Sequence, residues 1–355
     1  ALGSATRILP LLTTAHLPSA ANDTFGPEFY TNQPIVNANE RQPYNDTPAP
    51  KVFGNVSPLD PQLFSRISDF VDELLKGERT GKYSPIEVAQ RLENLAAYAD
   101  KSLAEAEGAT GGTTAINTTP EFRRAAADLK IHIGLGRFFA AELRSGTLYA
   151  IHARSGDRGA LEEALKQYRQ AQQIWARFAE ETKGIYVSDM TFGPLPRQRG
   201  NWLDRLPAMD ADIALMAQPL GSLLGNQRQS AQIRSAIQEA LGRPLRSSVA
   251  CFHTPSPHFF PGKDLEIVLS IKEATEPISV RVYYRHVNQA ERYEAEQMRK
   301  LRGEYRTVIP ARYTSSPYSI QYYFELKEGP EKAWLYPGFN TDMTNQPYFV
   351  LPTLM

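Results

Sequence analysis

The sequence has little cysteine, no excess charge of either sign and no long apolar run, and each shortage excludes a class of protein. Cys251 is the one cysteine, so no disulfide can form within the chain and the usual cysteine-based zinc sites are ruled out. Basic and acidic residues number 39 each, which leaves no net field to attract nucleic acid or an anionic membrane. No apolar run approaches the roughly 18 residues that a membrane-spanning helix needs. We therefore expect neither nucleic acid as a partner nor a membrane span.

The opening of the chain has neither a methionine nor a signal segment, and it resembles the interior of a folded domain. We therefore expect this sequence to be the trailing part of a larger protein. Pro10 interrupts the apolar residues 8–12 and argues against a central strand or a helix interior there. Between residues 18 and 61, frequent prolines and asparagines without a persistent period predict a long irregular connection.

Capping signals and an apolar period of 3.6 predict a helical bundle over residues 58–244. Four helix starts are indicated by an N-cap residue, in three cases followed by proline, at Asp60, Ser84, Thr119 and Asp157. Ser84 and Glu87 also have the spacing of a capping box. Further helices are predicted at residues 206–216 and 227–241.

The third of these helices, which begins at Thr119, is unusually long and contains three glycines: Gly134, Gly136 and Gly146. Each glycine weakens a helix by about 1 kcal/mol relative to alanine, so their presence indicates close packing rather than exposure to solvent. We expect this helix to lie at the centre of the bundle.

After Pro244 the apolar period changes from 3.6 to 2, which predicts strands. Residues 265–271, 278–284 and 320–326 alternate between apolar and other side chains, as half-buried strands do. Turn signals divide about 100 residues into seven or so strands, which is typical of an immunoglobulin-like or fibronectin-like sandwich. A sugar-binding face is one interpretation of its many tyrosines, although half of them should be core: Tyr283, Tyr284, Tyr293, Tyr305, Tyr313, Tyr318, Tyr322 and Tyr323.

The first candidate site lies in the loop over residues 16–32. It gathers His16, Asn22, Glu28 and Tyr30, a mixture suited to hydrogen-bonding sugar hydroxyls and to acid–base chemistry. The alternative is an ordered linker whose polar groups are satisfied locally.

The second candidate site lies in residues 188–212. Trp202, flanked by Arg199 and Asp204, has the composition to stack on a sugar ring while the charged groups bind hydroxyls. The alternative is a structural clamp, with a tryptophan buried at an interdomain seam and paired charges around it. The aspartates here lack the spacing of an EF-hand, so we expect no metal.

Other catalytic signatures are missing from the sequence. It contains no glycine-rich phosphate loop, no G-x-S-x-G elbow and no H-E-x-x-H pair. Nucleotide-dependent, serine-hydrolase and zinc-protease activities therefore have no support, and no cofactor is predicted.

Several stretches of the sequence resemble parts of known multidomain proteins. The opening is SATRILPLLTTAHLPSAANDTFGPEFYTN, the helical part contains RFFAAELRSGTLYAIHARSGD and RGNWLDRLPAMDADI, and the tail contains VRVYYRHVNQAERY, YRTVIPARYTSSPYSIQYYFEL and AWLYPGFN. The opening resembles the last barrel strand and following loop of bacterial glycoside-hydrolase-like proteins of the α-glucuronidase and hexosaminidase type, and the helical stretches resemble the region that follows such barrels. The tail is similar to fibronectin-like modules that end large secreted bacterial enzymes.

The resemblance implies a multidomain α + β protein: an irregular N-terminal barrel remnant (residues 1–57), a helical bundle (58–244) and a C-terminal antiparallel β-sandwich (245–355). Barrel enzymes carry their catalytic groups at strand ends that mostly lie outside this sequence. The chain is thus expected to be the accessory portion of a secreted or periplasmic carbohydrate-active protein, inactive when isolated. Its partners would be an upstream catalytic domain and an oligo- or polysaccharide. The alternative is a non-catalytic scaffold that binds carbohydrate or protein.

Overall fold

The computed structural model describes residues 1–16, 34–36, 52–108, 119–191, 199–221, 230–246, 250–272, 278–288, 290–341 and 343–354. The chain forms two compact units. The helical unit comprises Ala1–Leu75 and Tyr83–Pro244, and the sandwich unit comprises Lys76–Lys82 and Leu245–Met355. Within the described ranges, no helix combines the length and apolar character needed to cross a membrane.

The helices of the first unit surround one long central helix. In chain order they are α1 (Leu2–Ala5), α2 (Ile8–Ala15), α3 (Ile67–Lys76), α4 (Pro85–Gly108), α5 (Pro120–Ser155), α6 (Arg158–Glu181), α7 (Leu206–Ala217) and α8 (Ala231–Leu241). Short 3-10 helices lie at Phe53–Asn55, Trp202–Arg205 and Gln218–Gly221, and strands β1 (Met190–Thr191) and β2 (Arg199–Gly200) form a small antiparallel pair.

The central position of α5 is confirmed, because it packs against α2, α4, α6 and α8. Its glycines allow this packing. A Cβ on Gly134 would lie 2.6 Å from the Phe178 ring, and one on Gly146 would lie 3.1 Å from Ile67 and 3.2 Å from Phe53. Both are closer than a side chain tolerates without displacing its neighbour, so the prediction of close packing is confirmed.

Three of the four predicted helix caps are present. Ser84 accepts from the Glu87 amide at 3.1 Å while the Glu87 carboxylate accepts from the Ser84 amide at 2.8 Å, which completes the capping box. Thr119 and Asp157 cap α5 and α6 through their side chains.

The first predicted helix begins six residues after its expected start at Pro61. Tyr83 donates its amide to the Leu63 carbonyl at 2.7 Å, and its own carbonyl accepts from the Ser65 amide at 3.0 Å. This long-range pairing uses backbone groups that a helix would need, so α3 starts only at Ile67.

The prediction of a barrel strand at the start of the chain is wrong, and the apolar run around Pro10, which the proline argued against placing in a helix interior, is helical. Residues 2–5 and 8–15 are helical, with Ile8 and Leu12 fully buried. Pro10 is the third residue of α2 and lies in its first turn. The backbone N–H groups of a first turn have no partner within the helix, so a proline there costs no hydrogen bond.

A buried arginine joins three helices of this unit. Arg144 of α5 donates to both carboxylate oxygens of Glu93 on α4, at 2.7 and 3.2 Å. Its Nη1 also donates to the carbonyls of Ala240 and Gly242 at the C-terminal end of α8, at 2.8 and 2.9 Å. Arg243 approaches the same carboxylate at 2.6 Å. One guanidinium of α5 thus satisfies a carboxylate on α4 and two carbonyls at the end of α8.

Replacing this arginine tests how much the network contributes. Arg144→Ala leaves two carbonyls without their donor and leaves the partly buried Glu93 carboxylate with Arg243 alone. We therefore expect a loss of about 3–5 kcal/mol in the free energy of unfolding, measured in urea. The matched control is Arg137→Ala, since Arg137 also joins α5 to α4, through an exposed pair with Asp100. That change should cost less than about 1 kcal/mol. Equal losses in the two variants would contradict the role given to Arg144.

The second unit is an antiparallel β-sandwich, as predicted. Its strands are β3 (Cys251–Phe252), β4 (Leu265–Ile271), β5 (Ile278–His286), β6 (Glu294–Gln297), β7 (Arg299–Leu301), β8 (Glu304–Ile309), β9 (Ile320–Glu328), β10 (Lys332–Tyr336) and β11 (Phe349–Leu351), with one short helix, α9 (Ala311–Thr314). One sheet has the order β10-β9-β5-β6, with β11 also paired to β9, and the other has the order β3-β4-β8-β7. The inward apolar side chains of β4, β5, β8 and β9 form the core.

A loop between α3 and α4 contributes to this second unit. The Gly81 amide donates to the buried Glu325 carboxylate at 2.9 Å, and Arg246 donates to the carbonyls of Gly81 and Lys82 at 2.6 and 2.8 Å. A Cβ on Gly81 would lie 2.9 Å from the Trp334 backbone, so only glycine fits. The sandwich unit is therefore built from two separate segments of the chain.

Candidate functional site

Arg199 and Asp204 of the second candidate site are both engaged in local structure. Arg199 pairs with Asp189 at 2.5 Å, next to the β1–β2 pairing, and Asp189 also accepts from the Gly200 amide at 3.1 Å. The hydrogen bond from Arg199 lowers the pKa of Asp189. Asp204 accepts from the Asn201 amide at 2.6 Å and completes a capping box with it.

Trp202 is a core residue of the helical unit. Its side chain is 5% exposed and lies edge-on to the rings of Phe178 and Tyr186, with centroids 6.3 and 5.4 Å away. Its carbonyl accepts from the Trp175 indole at 2.7 Å. A ring packed on these sides has no face available for stacking on a sugar.

Truncating this ring tests its structural role. We expect Trp202→Ala to lower the free energy of unfolding by about 3–5 kcal/mol, because it leaves a cavity beside Phe178 and Tyr186. Val187→Ala is the control, since Val187 lies nearby in sequence and is 69% exposed. A near-neutral effect of Trp202→Ala in urea unfolding would contradict the assignment.

His16, from the first candidate site, ends α2 and is 4% exposed. Its ring packs on Phe53 with centroids 4.0 Å apart, and its buried Nε2 has no hydrogen-bond partner within the described part of the chain. Burial lowers its pKa to about 3, so the imidazole is neutral at pH 7. Asn22, Glu28 and Tyr30 lie outside the described residues.

A buried aspartate holds a nearby piece of backbone. Asp212 of α7 accepts from the amides of Ile35 and Val36 at 2.7 and 3.2 Å, and the Pro34 carbonyl accepts from the Phe53 amide at 2.9 Å. Phe53 is the residue on which His16 packs. Residues 34–36 thus connect Asp212 to Phe53 and, through it, to His16; we call this group the His16 region.

The chemistry available to the His16 region is hydrogen bonding rather than proton transfer at neutral pH. A histidine whose pKa is near 3 is a poor base, because it holds a proton too weakly to accept one from a substrate. A neutral imidazole still offers one donor and one acceptor, which suits a sugar hydroxyl or a water molecule.

The buried imidazole predicts a pH dependence of stability. The folded chain keeps His16 neutral down to about pH 3, whereas the unfolded chain takes up a proton below about 6.5. The unfolded state therefore binds more protons in this window, so the contribution is complete above pH 6.5 and is lost as the pH falls toward 3. His16→Gln should reduce the slope of unfolding free energy against pH by up to about 1.4 kcal/mol per pH unit. Equal slopes for the two proteins would contradict the buried neutral state.

A pocket that the sequence did not predict opens between α4, α5 and α6. Its volume is about 600 Å³. The apolar lining consists of Phe122, Ala126, Ala127, Ile131, Phe178 and Ile185, with buried Thr182 among them, and the charged lining consists of Glu107, Arg123, Lys130 and Glu181. Lys130 pairs with Glu107 at 2.9 Å. Within the described residues, Arg123 and Glu181 have no ion-pair partner.

The tyrosines of the sandwich divide between its two sides. Tyr284, Tyr305 and Tyr322 belong to the core. Tyr283 and Tyr323 stack on each other with centroids 5.2 Å apart, and Tyr283 donates to Glu325 at 3.1 Å. Tyr323 is only 2% exposed and Glu325 only 7%, so the side chains in the middle of the face opposite the core are also buried.

The side chains that organise each unit were not among the candidate residues predicted from the sequence. Arg144 had a detectable signal, because a charge in the apolar run RFFAAELRSGTLYAI needs a buried partner. Glu325 and Gly81 had none, since their partnership spans 244 positions.

In the part of the chain that the structure describes, no three histidine, cysteine or acidic side chains are grouped closely enough to hold a metal ion.

No protein-family model matches the chain, and no curated protein is similar to it in sequence. One solved structure, that of a GH138 enzyme described as targeting pectin rhamnogalacturonan II, is 12% identical with a TM-score of 0.46 over 62% of this chain. The present chain covers 31% of that one. A likeness this weak establishes neither the fold nor the function, so the proposals below depend on the residues of this chain.

Proposed function

We propose that this chain is an accessory, non-catalytic part of a larger glycoside-hydrolase-like protein. The link to carbohydrate rests on the resemblance of the sequence stretches named above. The accessory role is supported by one observation: Arg199, Trp202 and Asp204 are engaged in local structure, as an ion pair, a core residue and a helix cap. Side chains used in this way stabilise a scaffold and are not free to bind a substrate.

The proposal includes features that follow from the resemblance. The ligand is an oligo- or polysaccharide, the partner is a catalytic domain upstream in the same polypeptide, and the location is secreted or periplasmic. His16 and Glu28 would lie at the rim of the sugar site, and the sandwich would be immunoglobulin-like or fibronectin-like. The division at residues 57/58 and 244/245 and the inactivity of the isolated chain also remain predictions.

Calorimetry with a panel of uronic-acid and amino-sugar oligosaccharides tests this proposal, with hydrolysis followed in the same samples. We expect no hydrolysis, and any sugar binding should be weakened by His16→Ala. The matched control is Tyr318→Ala, since Tyr318 is a 62% exposed ring on the sandwich. Hydrolysis by the chain alone would contradict the accessory role. Binding that depends on Tyr318 and not on His16 would assign the sugar to the sandwich instead.

A second candidate function, a protein-interaction scaffold, is favoured by the pocket of the helical unit. Its wall is mainly apolar, with few of the convergent polar groups that a sugar site needs. The occupant we propose is a partner segment that inserts one large apolar side chain between Phe122, Ile131 and Phe178. A flanking acid and base in that segment would complement Arg123 and Glu181.

Methyl NMR of the full chain tests this occupant with the peptide acetyl-Glu-Trp-Lys-amide. We expect shifts at the methyl groups of Ile131 and Ile185, and no shifts with the matching peptide that carries alanine in place of tryptophan. Ala127→Trp should abolish the shifts by filling the pocket, whereas Ala125→Trp, at an exposed position, should preserve them. The absence of shifts in the unmodified chain would contradict the proposal.

A further inference from the structure

His286 ends strand β5 and is bound on three sides. Its ring lies parallel to that of Tyr313 on α9, with centroids 4.4 Å apart and an angle of 2°. Its Nδ1 is 2.8 Å from a carboxylate oxygen of Glu291, and its Nε2 is 3.2 Å from the carbonyl oxygen of Tyr313. The side chain is 13% exposed, so water has limited access to either nitrogen.

Both partners of this imidazole are acceptors. A carbonyl and an ionised carboxylate have only lone pairs to offer, and a neutral imidazole carries a single N–H. The neutral ring therefore satisfies one of the two oxygens and directs a lone pair at the other. The imidazolium satisfies both, because each nitrogen then donates.

Glu291 is held in the ionised form that this arrangement requires. Burial acts to raise its pKa, but the hydrogen bond and charge of His286 outweigh that effect, so the pKa lies below its usual value. Asn288 also donates to this carboxylate, at 3.3 Å.

A second histidine of the same sandwich shows the opposite arrangement. The Nδ1 of His253 is 2.6 Å from the Val268 carbonyl, and its Nε2 is 2.7 Å from the Tyr322 hydroxyl. A hydroxyl can donate, so a neutral imidazole with its proton on Nδ1 satisfies both contacts. Burial also lowers the pKa of His253. The two sites differ in one chemical feature, a hydroxyl in place of a carboxylate.

We propose that His286 is a pH-dependent latch, which in its protonated form fastens Glu291 to α9. Loss of the proton releases one of the two contacts and loosens the link. Glu291 is also connected to a neighbouring contact, because its carbonyl accepts from Arg285 at 3.2 Å and Arg285 lies over the Tyr293 ring at 4.5 Å. The latch thus links pH to the order of Arg285 and Tyr293.

The two phenols beside the latch stay neutral through the range in which histidine titrates, about pH 5 to 8. On β5, Tyr284 lies edge-on to Tyr313 at 4.8 Å and donates to Glu294 of β6 at 3.0 Å. Burial raises the pKa of Tyr284, and it raises that of Tyr313 to about 12, so both phenols stay neutral.

Amide hydrogen exchange of the full chain between pH 5 and 8, corrected for intrinsic rates, tests the latch. The His286 amide, which donates to Tyr313 and Glu291, should be protected roughly fivefold more at pH 5 than at pH 8, as expected for one additional hydrogen bond. His286→Gln should remove this pH dependence. Glu291→Gln, a milder change at a 35% exposed side chain, should reduce it and keeps the test valid if the first variant does not fold.

The control is the second histidine of this sandwich. The Tyr322 and Val268 amides beside His253 should show no gain of protection at pH 5. Protection of the His286 amide that is unchanged with pH, or that changes equally in His286→Gln, would overturn the proposal.

Discussion

The helical unit depends on the guanidinium of Arg144, a charge placed in the most buried helix of the molecule. A buried charge is tolerated only where hydrogen bonds replace its hydration, and Arg144 meets this condition with a carboxylate and two carbonyls. The carbonyls lie at the C-terminal end of α8, where the helix dipole also favours a cation. One side chain thereby fixes α4 and α8 against α5, and the glycines of α5 let α3, α6 and Phe53 approach its backbone.

The candidate functional residues can likewise be compared by whether their polar groups have hydrogen-bond partners. Arg199 is paired with Asp189, ten residues away, and Asp204 with Asn201, three residues away, which leaves them little capacity to bind a ligand. His16 differs, because its buried Nε2 faces no donor or acceptor among the described residues, and an unmet hydrogen bond inside a protein is what a ligand hydroxyl or a water molecule can supply. In the sandwich, the partners of His253 and His286 select different protonation states. The three histidines His16, His253 and His286 therefore lie in three different polar environments.

The parts of the fold that were predictable from the sequence are those with local causes. A cap lies within three residues of the groups it satisfies, so the local sequence pattern was enough to identify Ser84, Thr119 and Asp157. Strand alternation is likewise local. The late start of α3 was not predictable, because it results from pairing with Tyr83. Pro10 led to a wrong expectation for the first residues, because the effect of a proline depends on where the helix begins. The contact between Gly81 and Glu325 joins distant positions that share no pattern, and the pocket is a space between helices that no single segment encodes.

Residues Trp202–Arg205 are part of the scaffold of the helical unit rather than a ligand-binding loop. Native-state hydrogen exchange read by mass spectrometry tests this assignment. We expect amides of this 3-10 helix to exchange as slowly as those in the middle of α5, since both would open only when the helical unit unfolds. Exchange of Trp202–Arg205 far ahead of α5 would show that this segment opens independently, and would return Arg199, Trp202 and Asp204 to consideration as ligand-binding residues.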